Sequence, residues 1–177
     1  MVKKLLRFFA YIFFFVVALI YFAPKQSIYY YLEQELKPMS VIISDEALED
    51  KGLSLNIQNA TIYFKAIESA KVLNSDITLL LFYNSIEAND IMLAESAKSF
   101  LPLMIEKLSL TNSIFNPLYI TLVASGEFGE ANGIIDLLER RVRIEVEPSA
   151  LMKAQYQNAL SMLKTNEEGV LVYDQAF

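Results

Sequence analysis

The stretch KKLLRFFAYIFFFVVALIYFAPK, residues 3–25, limits what the rest of the chain can be. No charge interrupts it from Phe8 to Ala23, and Leu5 and Leu6 extend it beyond Arg7, giving roughly the 20 apolar residues that cross about 30 Å of hydrocarbon. Leu5, Leu6, Phe8, Phe9, Phe13, Phe14, Phe15, Val16, Val17, Leu19, Ile20 and Phe22 are the expected lipid contacts. Such a run is long for the core of a cleavable leader. Tyr21 two positions before Ala23, with Pro24 after it, also makes a poor cleavage site. The expectation is a retained single-pass anchor over 5–23 behind a short tail, 1–4, and the alternative is a removed leader and a free secreted domain. Lys3, Lys4 and Arg7 outweigh Lys25 across the run, which predicts a cytoplasmic N-terminus and an exported remainder.

Charge narrows the partners of that remainder. Removing Lys3, Lys4 and Arg7 from the 15 basic residues leaves 12 against 21 acidic ones, a net −9. This surface repels phosphate backbones, so no nucleic-acid partner is expected. The one basic cluster, ERRVR at 139–143, belongs to a strand in which Val142, Ile144 and Val146 alternate with charged residues. Arg141 and Arg143 therefore read either as a solvated outer face or as a contact to anionic headgroups or an acidic partner. The chain has no cysteine, so no disulfide staples the fold and its stability rests on buried aliphatic and aromatic groups.

After the anchor, PKQSIYYYLEQELKP places Ile28, Leu32 and Leu36 at i, i+4 and i+8, which predicts an amphipathic helix over 24–38. It would pack on the domain's own sheet, on the bilayer or on another subunit. The period then changes to two. LSLNIQ and ATIYFKA read as two strands of a hairpin joined at Gln58-Asn59. SAKVLN, DITLLLFY, SIEANDIMLA, LMIEKLSLT, PLYITLVASG, ANGIIDLL and RRVRIEVE follow as short strands with short links, interrupted only by a brief helical LAESAKSFLP. Such a series makes an antiparallel meander, because parallel strands would need helical crossovers. The run ITLLLFY is apolar on both faces and reads as a strand covered on both sides, or as one offering Leu79, Leu80, Leu81 and Phe82 to lipid or a partner. SGEFGEANG marks a sharp corner. PSALMKAQYQNALSMLK aligns Met152, Tyr156, Ala159, Leu160 and Leu163 on a helix capped by Ser149, and EEGVLVYD returns as a last strand. The fold class is α+β, mainly β: a transmembrane helix, a short amphipathic helix, a curved antiparallel meander over 39–177, one C-terminal helix and a final strand.

Catalytic chemistry has few residues to use. Histidine and cysteine are both absent, so the commonest general base, the thiolate nucleophile and the soft metal ligands are missing. SALMK has one residue too many for a Ser-x-x-Lys pairing, and GEFGEANG lacks the lysine of a phosphate-cradling loop. Asp45, Glu46, Glu49 and Asp50 lack EF-hand spacing and read as a solvated acidic helical turn ended by Gly52. No cofactor and no enzymatic activity are expected.

The residues GLSLNIQNATIYFKAIESAKVLNSDITLLLFYNSIEANDIMLA at 52–94 resemble the layered strands of the type II secretion protein N family and the related AsmA-like proteins. LVASGEFGEANGIIDLLERRVRIEVEPS is similar in style. The resemblance implies a bacterial inner-membrane helix carrying a curved periplasmic sheet, as an accessory part of an envelope secretion assembly whose subunits are its partners. It also implies an alternative, a lipid-binding or lipid-transfer protein whose curved sheet takes phospholipid in an apolar groove. An accessory component of a flagellar motor is a third member of the same class.

Overall fold

The computed structural model describes residues 2–80, 82–98, 100–166 and 169–177. The N-terminal run forms helix α1, Val2–Tyr21, followed after a short break by α2, Lys25–Leu36. α1 is long and apolar enough to cross a membrane, and none of its most apolar window is buried against the rest of the chain.

The strands that follow are β1 (Val41–Ser44), β2 (Ala47–Asp50), β3 (Ser54–Phe64), β4 (Ile67–Leu79), β5 (Tyr83–Leu93), β6 (Met104–Ser113), β7 (Asn116–Gly126), β8 (Gly129–Asp136) and β9 (Arg141–Pro148). Two short helices, α3 (Ala150–Gln155) and α4 (Gln157–Leu160), precede β10 (Lys164–Thr165) and β11 (Leu171–Ala176). All strands join one open antiparallel sheet in the order β1-β3-β4-β5-β6-β7-β8-β9-β11-β10, with β2 beside β1 on the same edge of β3. The mainly β meander expected from the short strand links is therefore the architecture.

Several local expectations are corrected. LSLNIQ and ATIYFKA are not a hairpin but one continuous strand, β3, and the β3–β4 turn lies at Lys65-Ala66, both with positive φ. The sequence suggested a turn because the apolar phase slips: Leu55 and Ile57 point inward, then Ala60 and Ile62. Asn59, at φ 57, produces that slip inside the strand. The same slip crosses the neighbours. Leu73 lies opposite Asn59, Asp90 (φ 54) lies opposite Leu73, and the β6–β7 register shifts between Ile105 and Lys107. Two successive residues per strand turn outward along this line, which creases the sheet.

SAKVLN and DITLLLFY are likewise parts of one strand and its turn. β4 ends at Leu79, so the apolar run is not a covered strand throughout: Leu80 and Phe82 lie in the β4–β5 connection, and Leu81 lies outside the described residues. The acidic segment is not a helical turn. Asp45, at φ 66, breaks the sheet edge, and Ala47–Asp50 pair with Leu55–Gln58 as β2. The C-terminal helix is divided at Tyr156 (φ −121, ψ 34), and nothing in the local sequence marks that break. Its Ser149 cap stands, accepting from the Met152 amide at 3.1 Å while donating to the Glu127 carbonyl at 2.6 Å.

One sheet face carries the core. Near β3–β5, Tyr29 of α2 is buried with Leu55, Ile57, Ala60, Ala70, Val72, Ala88 and Ile91. Near β7–β9, Met152 of α3 and Phe128 are buried with Ala124 and Ala131. Ile105 and Leu108 pack against both groups and make them one layer.

Candidate functional site

Cross-strand registers order the inner face, the one on which α2, α3 and α4 pack, into rows. One row runs Ile57-Ser75-Ala88-Leu108-Ala124-Ala131-Val146, and its small residues leave room for Tyr29 and Met152 above them. The next row, Leu55-Ile77-Ile86-Leu110-Leu122-Gly133-Ile144, and the one after it, holding Leu79, Ile120, Ile135 and Val142, lie progressively farther from the helices. Ile86, Leu110, Ile120, Ile135 and Val142 belong to neither buried group: Ile86 stays 43% exposed although its face is apolar, and the other four are half-buried. The sheet therefore presents an apolar strip with no lid of its own. At the other end of this face, Leu93, Leu101, Pro102, Ile105, Phe128 and Met152 are among the residues that line a half-open cavity of about 240 Å³, with Ala159, Leu160 and Leu163 along its helical side. Every residue lining it is apolar.

The second constellation joins the first helix to the sheet. Lys25 is 3% exposed, and its ammonium donates to the Tyr21 carbonyl at 3.1 Å and the Ala23 carbonyl at 3.3 Å while pairing with the Asp50 carboxylate at 3.2 Å. It thereby caps the C-terminal end of α1, where carbonyls lack helical donors and a cation is favourable. Asp50 also accepts from the Gly52 amide at 2.8 Å. That amide and, after it, Lys25 hold the Asp50 carboxyl below its ordinary range. Gly52 (φ +82) meets the ring of Tyr21: a Cβ there would stand 2.3 Å from a ring carbon. Lys25, expected only as a weak topological charge, is thus the centre of an elbow. A capping role for it is invisible in sequence because Asp50 is 25 residues away.

α2 is rotated from the expected stripe. Lys25 and Tyr29 are its buried residues, with Leu36 half-buried, whereas Ile28 and Leu32 face solvent. Burial pushes the Tyr29 phenol up, with the Glu46 and Glu33 carboxylates adding to it, and the hydroxyl lies near Glu46 without reaching bonding geometry. Lys3, Lys4 and Arg7 stand exposed on the first turns of α1, and Leu5, Leu6, Phe8, Phe9, Phe13, Phe14, Phe15, Val17 and Leu19 are exposed along it. Val16 and Ile20 are half-buried, and Phe22 lies just past its end. Arg141 and Arg143 sit on the outer face. Arg141 makes a two-pronged bond to Asp174, which is chiefly what holds that carboxyl low, and Arg143 reaches Glu145 at 3.3 Å. Both guanidinium groups are engaged within the sheet and lie away from the apolar strip.

Among the described residues no three acidic side chains converge as a metal site would require. A helix like α1 fits a membrane anchor and a signal sequence alike. Comparison with protein-family models, curated proteins and solved structures finds no match to this chain.

Proposed function

We propose that this chain is a membrane-anchored, non-catalytic protein that holds the acyl chains of a lipid against the inner face of its sheet. The observation that carries this reading is the apolar strip through Ile86, Leu110, Ile120, Ile135 and Val142, which no helix covers and which leads toward an all-apolar cavity. A closed structural core would have buried these side chains fully, whereas Ile86 is exposed and the other four only half-buried, so part of the roughly 1.5–3 kcal/mol that a fully buried aliphatic group contributes is unrealised at each. An acyl chain recovers that free energy without needing a polar partner.

The anchor supports the same reading, because the poor cleavage site after Ala23 argues for retention and the buried Lys25 elbow ties α1 to the sheet edge. Retention with the positive flank inside gives an exported sheet, in a bacterial cell a periplasmic one. The strand rhythm's resemblance to AsmA-like proteins points the same way.

The test is recovery of the full-length protein from its own membranes in gentle detergent, with bound lipids and proteins identified together by mass spectrometry. About one phospholipid per chain is expected, lost in an Ile86→Glu, Ile135→Glu double variant that still folds. Stoichiometric envelope subunits without lipid, unaffected by those substitutions, would replace this reading with an assembly or scaffold role.

A further inference from the structure

The two ends of the sheet differ. Gly52, against which the last turn of α1 packs, lies in the β2–β3 turn, and Ser54 just after it pairs with Thr78 near the end of β4. From there the registers run through Ser85, Thr111, Thr121, Ile134 and Arg143, so the β4–β5, β6–β7 and β8–β9 turns and the C-terminus share the end that carries α1. Hydrogen bonds link these turns directly. The Ile114 amide donates to the Phe82 carbonyl at 3.1 Å, and the Phe177 amide to the Arg140 carbonyl at 2.9 Å.

Turns are ordinarily polar. The tips here are largely apolar: Phe115 is 90% exposed, Leu138 73% and Phe82 62%, with Leu53, Ile114 and Phe177 also open to solvent, although the β8–β9 turn carries Glu139 and Arg140 beside Leu138. Turns at the opposite end mix charge with apolar surface: Lys65 stands between Phe64 and Ile67, Glu95 and Lys98 precede Phe100 and Leu101 in the β5–β6 connection, and Glu127 lies between β7 and β8, with Ile67 and Phe100 themselves exposed. The most exposed of the apolar hairpin tips, Phe115 and Leu138, thus lie at the end where the apolar helix joins.

We propose that this rim of hairpin tips is a membrane-contact surface, dipping into the headgroup and acyl boundary of the bilayer that α1 crosses. The inference rests on α1 being retained as an anchor. If α1 spans the membrane and ends against Gly52, that end of the sheet stands at the bilayer surface. Phe82, Phe115 and Leu138 then meet lipid rather than water, at the depth of roughly 5–10 Å that interfacial apolar groups reach. Arg140, whose guanidinium lies 6.0 Å from the Phe177 ring centroid, is placed to meet phosphate there. The Asp136 carboxylate is turned back onto the Leu138 and Glu139 amides, at 2.8 and 2.9 Å. The uncovered strip of the inner face would open directly onto the membrane, which gives a lipid a dry route to it.

The chain contains no tryptophan, so single substitutions make clean reporters. Full-length Phe115→Trp, Phe100→Trp and Phe14→Trp variants would be reconstituted into phosphatidylcholine–phosphatidylglycerol vesicles with bromines on the acyl chains. Phe115→Trp at the rim is expected to lose most of its emission, as Phe14→Trp within α1 does, while Phe100→Trp at the opposite end keeps it. Quenching of Phe14→Trp without Phe115→Trp overturns the rim proposal and leaves the anchor standing. A blue-shifted but unquenched Phe115→Trp would mean that the rim meets another copy of the chain, and overturns it too. If Phe14→Trp is itself unquenched, the anchor reading falls and takes this proposal with it.

Discussion

Asn56 and Ala66 show what single residues on β3 contribute and what sequence could reveal of them. Asn56 is 1% exposed, and its amide donates to Asn74 Oδ1 at 2.7 Å and Asp76 Oδ1 at 3.1 Å while its oxygen accepts from Gln58 at 2.8 Å. Asn56→Ala removes a donor to a carboxylate and leaves several polar groups short of partners, so chemical denaturation should show a loss of about 2–3 kcal/mol. A loss near zero would mean that water replaces the amide. Ala66, at φ 62 in a turn whose other central residue, Lys65, is at φ 50, occupies a position that normally selects glycine. Left-handed backbone costs a non-glycine residue about 1–2 kcal/mol, partly offset by the extra freedom glycine gives the unfolded chain. Ala66→Gly should therefore stabilise the fold by roughly 0.5–1 kcal/mol. The same residues explain the misread hairpin: Gln58-Asn59 has turn composition in the middle of a strand, whereas the real turn is Lys65-Ala66, which has none.

At the scale of elements, the α1–α2 elbow decides how the first helix sits against the sheet. Gly52 and Gly169 provide an internal comparison, because their φ values are +82 and +83 but only Gly52 has neighbours that a Cβ would strike. Alanine at either site carries the same left-handed strain, so the excess loss of thermal stability in Gly52→Ala over Gly169→Ala measures the Tyr21 contact. A clear excess is expected, and equal losses would remove the contact from the account. The elbow is also acid-sensitive. Asp50 and Asp174 are held below their ordinary value of 3.8, so their contribution is complete above that pH and is lost as pH falls through their lowered values. A Lys25→Met variant should lessen only the part of that acid loss that Lys25 gives Asp50, leaving what the Gly52 amide and the Arg141–Asp174 pair contribute, read as the thermal midpoint between pH 5 and pH 2. Element order, the capping serine and the period-two rhythm were legible in sequence because each is local. The rotation of α2 was not: Ile28, Leu32 and Leu36 are its most apolar stripe, yet the Lys25–Asp50 pair and the room above Ser75 and Ala88 turn Tyr29 inward instead.

For the molecule as a whole, the inner face matters as one continuous surface. From Ile120, in the row nearest the rim, to Gly126, in the row beneath α3 and α4, β7 advances six residues, on the order of 20 Å at the usual rise of a strand. That distance is comparable with the reach of one acyl chain, which covers half of the roughly 30 Å hydrocarbon core. On the lipid-holding reading, a lipid with its headgroup at the rim would lay its chain along Ile135 and Leu122 up to Met152, buried on Ala124 and Ala131, and would reach the cavity under Ala159 and Leu160 only by displacing that side chain. A chain that displaced Met152 in this way would have its length limited by the cavity. Ala159→Phe introduces a ring into a space of about 240 Å³ that contains no polar lining residue, so it should raise the thermal midpoint while shortening the chains of co-purified lipid. Fatty-acid methyl-ester analysis of the bound lipid reads this directly. Unchanged chain lengths together with the higher midpoint would make the cavity a packing defect of the core, and would confine any lipid to the open strip between Ile86 and Val142.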